Sequence, residues 1–341
     1  MAKRISIKDV AQGAGVSVTT VSHVLNDVPG KRVHEETRAR VQRVAKELGY
    51  QPNSVARSLR TQRSQIIALV SDEIATTPYA GRIILGAQEA ASKHGWLLML
   101  VNSGGDPAVE AAEIAALEQR QVDGFLYATM YHREVSLPAA LVDVPTVLLD
   151  ARTEDPAVSW CVPDEYAAAR TATQTLIDAG HWRIGFANNV DDIPATRLRL
   201  AGYRSALTDA GIQPDDALVV IRESVTEGGL QAGAALLDLP DRPTAIFAFN
   251  DRMALGVYHA AAERGLRIPS DLSVIGFDNQ ELIADGVRPG LTTMALPHYE
   301  MGAWAVDTLI RRIQDPTTPP EQVELPCPVV ARHSVAPPGQ G

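Results

Sequence analysis

From Gln65 onward, short apolar runs alternate with longer helix-patterned stretches, and several of those stretches end on a glycine, at Gly95, Gly180, Gly211 and Gly265. Such alternation is the signature of βαβ units in parallel, doubly wound sheets, because a parallel strand pair needs a crossover long enough to hold a helix. The runs predict strands at Gln65–Val70, Trp96–Val101, Gly124–Thr129 and Thr146–Asp150, then at Arg183–Asn188, Ala217–Arg222, Thr244–Phe249 and Leu272–Asp278. Two sets of four imply two lobes. The runs fall far short of the roughly 18 apolar residues that span a bilayer, so no membrane contact is expected.

The first sixty residues read differently. Ser6 and Asp9 form a capping-box pair, and Val10, Ala11 and Ala14 share one helical face. Gly15 supplies a turn and Ser17 a second N-cap. Val21, Val24 and Leu25 then make the buried stripe of a second helix, leaving Thr19, Ser22 and His23 on the opposite face with Val18 and Thr20 beside them. A third helix opens with Glu35 and Glu36 and closes before Gly49. Two short helices around a glycine turn, the second free to enter a major groove, form a helix-turn-helix. Charge agrees: residues 1–60 carry 11 Lys/Arg against 5 Asp/Glu, the remainder 20 against 36, although the whole chain is at −10. A basic head on an acidic body confines polyanion binding to one end.

The segments Ile7-Lys8-Asp9-Val10-Ala11, Ala14-Gly15-Val16-Ser17, Thr20-Val21-Ser22-His23-Val24-Leu25-Asn26 and Leu48-Gly49-Tyr50-Gln51-Pro52-Asn53 together resemble the headpiece of the LacI/GalR regulators. The resemblance continues through Val55-Ala56-Arg57-Ser58-Leu59, similar to that family's hinge helix, and through the core to about residue 335. It implies three parts: a headpiece over 1–51, a hinge over 52–64, and a two-lobed α/β core of periplasmic-binding-protein type over 65–335. Lobe 1 would take about 65–160 and 293–325, lobe 2 about 161–290. The resemblance further implies that Val18, Thr19 and His23 read base edges, with Ser17, Thr20 and Ser22 nearer phosphate. Many members have Arg where His23 stands, so the resemblance carries over DNA binding but not the identity of the operator bases. Hinge contacts would come from Asn53, Ala56, Arg57, Leu59 and Arg60, with Leu59 wedged into the minor groove. A hinge helix of about eight residues is too short to be stable alone, so DNA is expected to order it.

Ligands of parallel sheets bind beyond the carboxyl ends of the strands, where Asp72, Tyr79, Asp150, Asp164, Arg197, Asn250, Asp251 and Asp278 fall. The resemblance maps effector contacts best onto Arg197 and Asp278, a guanidinium fork and a carboxylate able to hold vicinal hydroxyls. Tyr79 could lie against a sugar ring. Asn250 and Asp251 open a helix, so one of them is equally an N-cap, and Asp150 and Asp164 flank a crossover and could bind hinge backbone instead.

No Gly-x-Ser-x-Gly elbow, His-Glu-x-x-His or phosphate-binding Gly-x-x-x-x-Gly-Lys occurs, so an enzyme is not expected, nor a cofactor or metal. Cys161 and Cys327 read as buried thiols. The expected partners are a near-palindromic double-stranded DNA operator, a small-molecule effector, most simply a sugar or glycoside, and a second copy of the chain in a homodimer. Residues 337–341 carry no leucine heptad for a tetramer coil. A transport-type solute-binding protein would share the core, but it needs an export signal and has no use for a basic helix-turn-helix. The chain opens on a polar, helix-patterned stretch, which predicts a cytoplasmic regulator.

Overall fold

The computed structural model describes residues 5–25, 33–50, 63–74 and 81–339. The chain divides into two compact units, residues 1–65 and 66–341.

Among its described residues the first unit holds three helices: α1 (Ile7–Ala14), α2 (Val18–Leu25) and α3 (Glu35–Glu47). The Asp9 carboxylate accepts from the Ser6 backbone N–H at 2.7 Å and from its hydroxyl at 2.6 Å, closing the start of α1. Gly15 leaves the helix with φ +65°, the left-handed conformation that favours glycine. Val10, Ala11, Ala14, Val21, Val24, Val41 and Ala45 form a core belonging to this unit. Arg40 ties α3 back by donating to the Ala14 carbonyl at 2.9 Å.

The second unit is built on two six-stranded sheets. One holds β1 (Ile66–Ser71), β2 (Leu97–Asn102), β3 (Gly124–Glu134), β4 (Thr146–Arg152), β5 (Ser159–Pro163) and β11 (Gln322–Leu325); the other holds β6 (Ile184–Asn189), β7 (Val219–Arg222), β8 (Ala245–Ala248), β9 (Ser273–Asp278), β10 (Thr292–Ala295) and β12 (Val329–Val330). Their orders are β11-β5-β4-β3-β1-β2 and β12-β10-β9-β8-β6-β7. Every pairing is parallel except β10 with β12.

The helices of this unit are α4 (Gly81–Lys93), α5 (Pro107–Gln119), α6 (Glu165–Asp178), α7 (Pro194–Asp209), α8 (Thr226–Leu237), α9 (Asp251–Glu263), the short α10 (Glu281–Ala284) and α11 (His298–Gln314). Glycine lets three helix pairs meet backbone to backbone. A Cβ on Gly86 would lie 2.1 Å from the Tyr299 carbonyl oxygen, which fixes α4 against α11, and one on Gly256 would lie 2.1 Å from that of Thr226, which fixes α9 against α8. Gly202 does the same between α7 and α6. The lobe 2 core includes Phe186 stacked on Phe247 with centroids 4.7 Å apart. That of lobe 1 surrounds Met301, Ala305, Val306 and Leu309 of α11.

The chain passes between the lobes three times: after Pro163, after Ala295, and after Leu325. Eight strands were expected and twelve occur among the described residues. The four unanticipated ones, β5, β10, β11 and β12, are those that border these passages. They also correct the expected bounds: lobe 1 runs past 160 to Pro163, and residues 293–295 pair in β10 with lobe 2, not lobe 1. A third passage had not been expected, and it carries residues 329–336 back to lobe 2, where Ser334 donates to the Val274 carbonyl at 2.6 Å. Among the described residues no helix is long and apolar enough to cross a membrane.

Candidate functional site

In the headpiece, the Thr20 backbone N–H donates to Ser17 Oγ at 3.1 Å, so Ser17 caps α2. Burial of Val21 and Val24 turns the other face of α2 outward. Ser17, Val18 and Thr19 are exposed, while Thr20, Ser22 and His23 are half-buried. A helix with its first turn uncovered and small polar side chains on it has the shape and chemistry to approach base edges. Asn53, Ala56, Arg57, Leu59 and Arg60 lie outside the described residues, as does Tyr79.

In the core, a cavity of about 320 Å³ lies between the lobes at the carboxyl ends of the strands. Its lobe 2 side is organised by Arg199, whose side chain is 4% exposed. Arg199 Nε donates to Glu165 Oε2 at 2.6 Å and Nη1 to the Phe249 carbonyl, with Asp278 Oδ1 3.8 Å away. The guanidinium also lies over the Phe277 ring at 3.6 Å and the Phe249 ring at 4.4 Å from their centroids. Burial alone would lower its pKa, but the Glu165 and Asp278 charges outweigh that and hold it above the ordinary guanidinium value. A permanent cation is fixed in the wall through its Nε and Nη1 groups and by the two rings beside it.

Asp278 sits at the end of β9 with φ +103°, and Gln280 Nε2 donates to its Oδ2 at 2.8 Å. Burial, only partly offset by Arg199 and by the Gln280 hydrogen bond, lifts its carboxyl to about 6. On the lobe 1 side Asp150, with φ +55°, is buried near the end of β4. Burial, reinforced by the Glu165 charge, pushes Asp150 well above the usual carboxylate range, which favours the neutral acid. Its Oδ1 is withdrawn from solvent and makes no hydrogen bond. Non-glycine residues with positive φ are held there by their surroundings, and such positions cluster at ligand sites.

Four residues expected at the cleft do other work, the first being Asp72, which lies outside the cavity lining, accepts from the Met130 N–H at 2.9 Å and pairs with Arg133. Arg197 is half-exposed, pairs with Asp192, and does not line the cavity; Arg199 takes the place expected for it. The reason is helical geometry: two residues turn α7 by about 200°, so the two arginines point to opposite sides. Asp164 caps α6, accepting from the Ala167 N–H at 2.9 Å, and is absent from the cavity lining. Asp251 is fully buried, its two oxygens accepting from the Thr293 hydroxyl and the Gln280 N–H, each at 2.6 Å. It fastens the turn after β9 instead of facing a ligand. Asn250 does line the cavity, yet its amide is spent on capping: Oδ1 accepts from the Met253 N–H at 2.8 Å and Nδ2 donates to the Ser224 carbonyl at 3.0 Å.

The structure also adds residues that sequence reasoning missed. Besides Arg199 and Glu165, His132 of β3 and Asn189 at the end of β6 line the cavity. His132 was passed over because β3 was expected to end at Thr129, whereas it runs to Glu134 with Met130 and His132 buried and Tyr131 and Arg133 exposed. The described residues contain no cluster fit to hold a metal ion, and Cys161 and Cys327 are both free and buried.

Residues 6–53 match the family described as bacterial regulatory proteins, lacI family, and residues 173–335 match the periplasmic binding protein-like domain. The ribose operon repressor of Escherichia coli strain K12 is 36% identical over 322 residues, 94% of this chain and 96% of that protein. Two solved structures superpose over nearly the whole chain. One is a transcriptional regulator CelR–cellobiose complex, 32% identical with a TM-score of 0.69, covering 97% of this chain and all of that one. The other is the lac repressor dimer bound to operator and an anti-inducer, 28% identical with a TM-score of 0.77, covering 98% of this chain and all of that one.

Proposed function

The chain belongs to the LacI family of bacterial regulatory proteins, and from that membership we propose that it is a dimeric, cytoplasmic repressor without enzymatic activity whose operator binding is set by a sugar held between the core lobes. The observation that supports the reading best is the Glu165–Arg199–Asp278 cluster on a cleft of sugar-accepting size, carried on the same chain as an exposed recognition helix. The 320 Å³ volume lies at the low end of the roughly 300–1,000 Å³ typical of small-molecule sites. Ribose and cellobiose, named for a relative and a structural neighbour, set the size range to try first.

The roles of the headpiece and hinge residues follow from the family resemblance, and those of Arg199, Asp278 and Asp150 from their place in the cleft. Val18, Thr19 and His23 approach base edges, and Ser17, Thr20 and Ser22 approach phosphate; Asn53, Ala56, Arg57, Leu59 and Arg60 make the hinge contacts. Arg199, Asp278 and Asp150 bind the effector, and Tyr79 covers it. Each lobe contributes one wall, so a ligand touching both changes their relative closure. That change alters DNA affinity only if the ligand binds the two arrangements unequally.

The test is a thermal-shift screen of the full-length protein against neutral pentoses, hexoses, disaccharides and nucleobases. Any hit is then carried into a fluorescence-anisotropy titration with the promoter DNA of its own gene. A sugar that shifts both the melt and the DNA affinity supports the reading; a hit confined to nucleobases overturns its sugar component. Operator affinity should also fall steeply with salt, as counterions released by phosphate contacts require.

A further inference from the structure

Three cavity-lining side chains present polar atoms that are withdrawn from solvent and make no hydrogen bond in the described structure: both ring nitrogens of His132, Oδ1 of Asp150 and Oδ1 of Asn189. They are 2%, 5% and 2% exposed. His132 and Asp150 stand on lobe 1 and Asn189 on lobe 2, so the unmet demand spans the cleft. Buried polar atoms are paired in folded proteins almost without exception, and a group of exceptions around one cavity marks where a ligand supplies the partners.

We infer that His132 is a specificity-determining contact for the effector and that the cleft takes an uncharged polyol, with one hydroxyl bridging the imidazole and others meeting Asp150 and Asn189. This rests on the sugar reading above and narrows it. A neutral imidazole carries one N–H donor and one lone pair, and a hydroxyl offers the complementary acceptor and donor in a single group. Burial, with the Arg152 and Arg199 charges adding to it, holds the His132 pKa at about 3, so the ring stays neutral at physiological pH.

Charge argues against an anionic effector. The cavity is lined by four carboxyl side chains, Asp150, Glu165, Asp191 and Asp278, against three guanidiniums. Of these, Arg199 is committed to Glu165 and Asp278, and Arg133 lies 3.2 Å from Asp72. With Asp150 favoured as the neutral acid, the remaining carboxylates match the guanidiniums, so a phosphorylated sugar would bring negative charge to a lining with no surplus of cations to meet it.

The experiment is isothermal titration of the full-length protein with a panel of neutral sugars that includes D-ribose, D-glucose and cellobiose, alongside D-ribose 5-phosphate and D-glucose 6-phosphate. Wild type should bind at least one neutral sugar and bind the phosphorylated form of any bound monosaccharide at least tenfold more weakly. His132→Leu should weaken the neutral sugar at least tenfold, and His132→Gln, which keeps a donor and an acceptor, should recover most of that loss. A series of monodeoxy analogues on wild type needs no variant to fold: removing one hydroxyl should cost at least tenfold. Equal binding by wild type and His132→Leu, or a deoxy series without any such step, overturns the role of His132 while leaving the sugar reading intact. Preference for the phosphates overturns the uncharged class. If wild type binds no sugar, the sugar reading falls and takes this inference with it.

Discussion

The two walls of the cleft are built on the same kind of parallel sheet and differ in how far their polar groups are already spent. Apart from the unpaired Asn189 Oδ1, lobe 2 presents spent groups: Arg199 locked to Glu165, the Phe249 carbonyl and Asp278, with Asn250 closed into a cap. Lobe 1 presents His132 and Asp150, whose buried polar atoms are unpaired. A satisfied wall is rigid and contributes to folding, whereas an unsatisfied one costs stability until something binds it. The pairing teaches a division of labour: substitutions in lobe 2 should change stability and binding together, and those in lobe 1 should change binding almost alone.

Arg199→Ala is the strongest way to break that division. It leaves Glu165 and Asp278 buried without their cation, so unfolding free energy should fall by about 3–5 kcal/mol and the effector response should vanish. A denaturant titration with and without ligand measures both, and a fully stable variant would refute the platform role.

Asp278→Asn probes the same wall through pH. The Asp278 carboxyl sits at about 6 in the folded chain, against about 3.9 for an ordinary aspartate. Because the folded value is raised, the native state gains from protonating Asp278 at low pH, and that gain is lost as pH rises through about 6. The amide cannot ionise, so relative to wild type the variant should become steadily more stable between pH 4 and pH 7, by up to about 2–3 kcal/mol. Melting curves across that range test the slope; a flat difference would mean Asp278 is not held up by burial.

On lobe 1, Asp150→Asn replaces a carboxyl that burial already favours as the neutral acid. Its stability should change by less than about 1 kcal/mol, while sugar affinity falls. Smallest of all, Arg197→Ala removes a half-exposed partner of Asp192. Stability should move by no more than about 0.5 kcal/mol and the ligand response should persist. Loss of response in this variant would restore Arg197 to the site in place of Arg199.

That last contrast marks where sequence reading stopped. The parallel sheets were legible because short apolar runs alternate with helical stretches, and the helix-turn-helix because period-3.6 stripes mark its helices. Arg197 and Arg199 stand in one motif that a resemblance cannot separate, but packing can. Arg199 shares its face with Ala195, Gly202 and Tyr203, all buried, while Arg197 lies turned away. The signal was thus present as helical spacing. His132 was also legible in principle, through the alternation that continues beyond Thr129. Strands β5 and β10 were harder, since they are short and flank the passages between lobes. The capping duty of Asp164 was foreseeable from its place before a helix; the bonds of Asp251 to Thr293 and Gln280 were not, because both partners arrive from later in the chain.

The threefold passage between lobes bears on how this protein is made. Helix α11, which supplies Met301, Val306, Leu309 and Ile310 to the lobe 1 core, begins at residue 298, whereas the first strand of that lobe begins at residue 66. At synthesis rates of about 5–20 residues per second, roughly 12–50 s pass between the two. The described core of the headpiece lies within the first fifty residues, while the apolar strands of lobe 1 must wait, uncovered, for a helix still inside the ribosome. An early stop in translation would therefore release a chain with a complete DNA reader and no finished sensor.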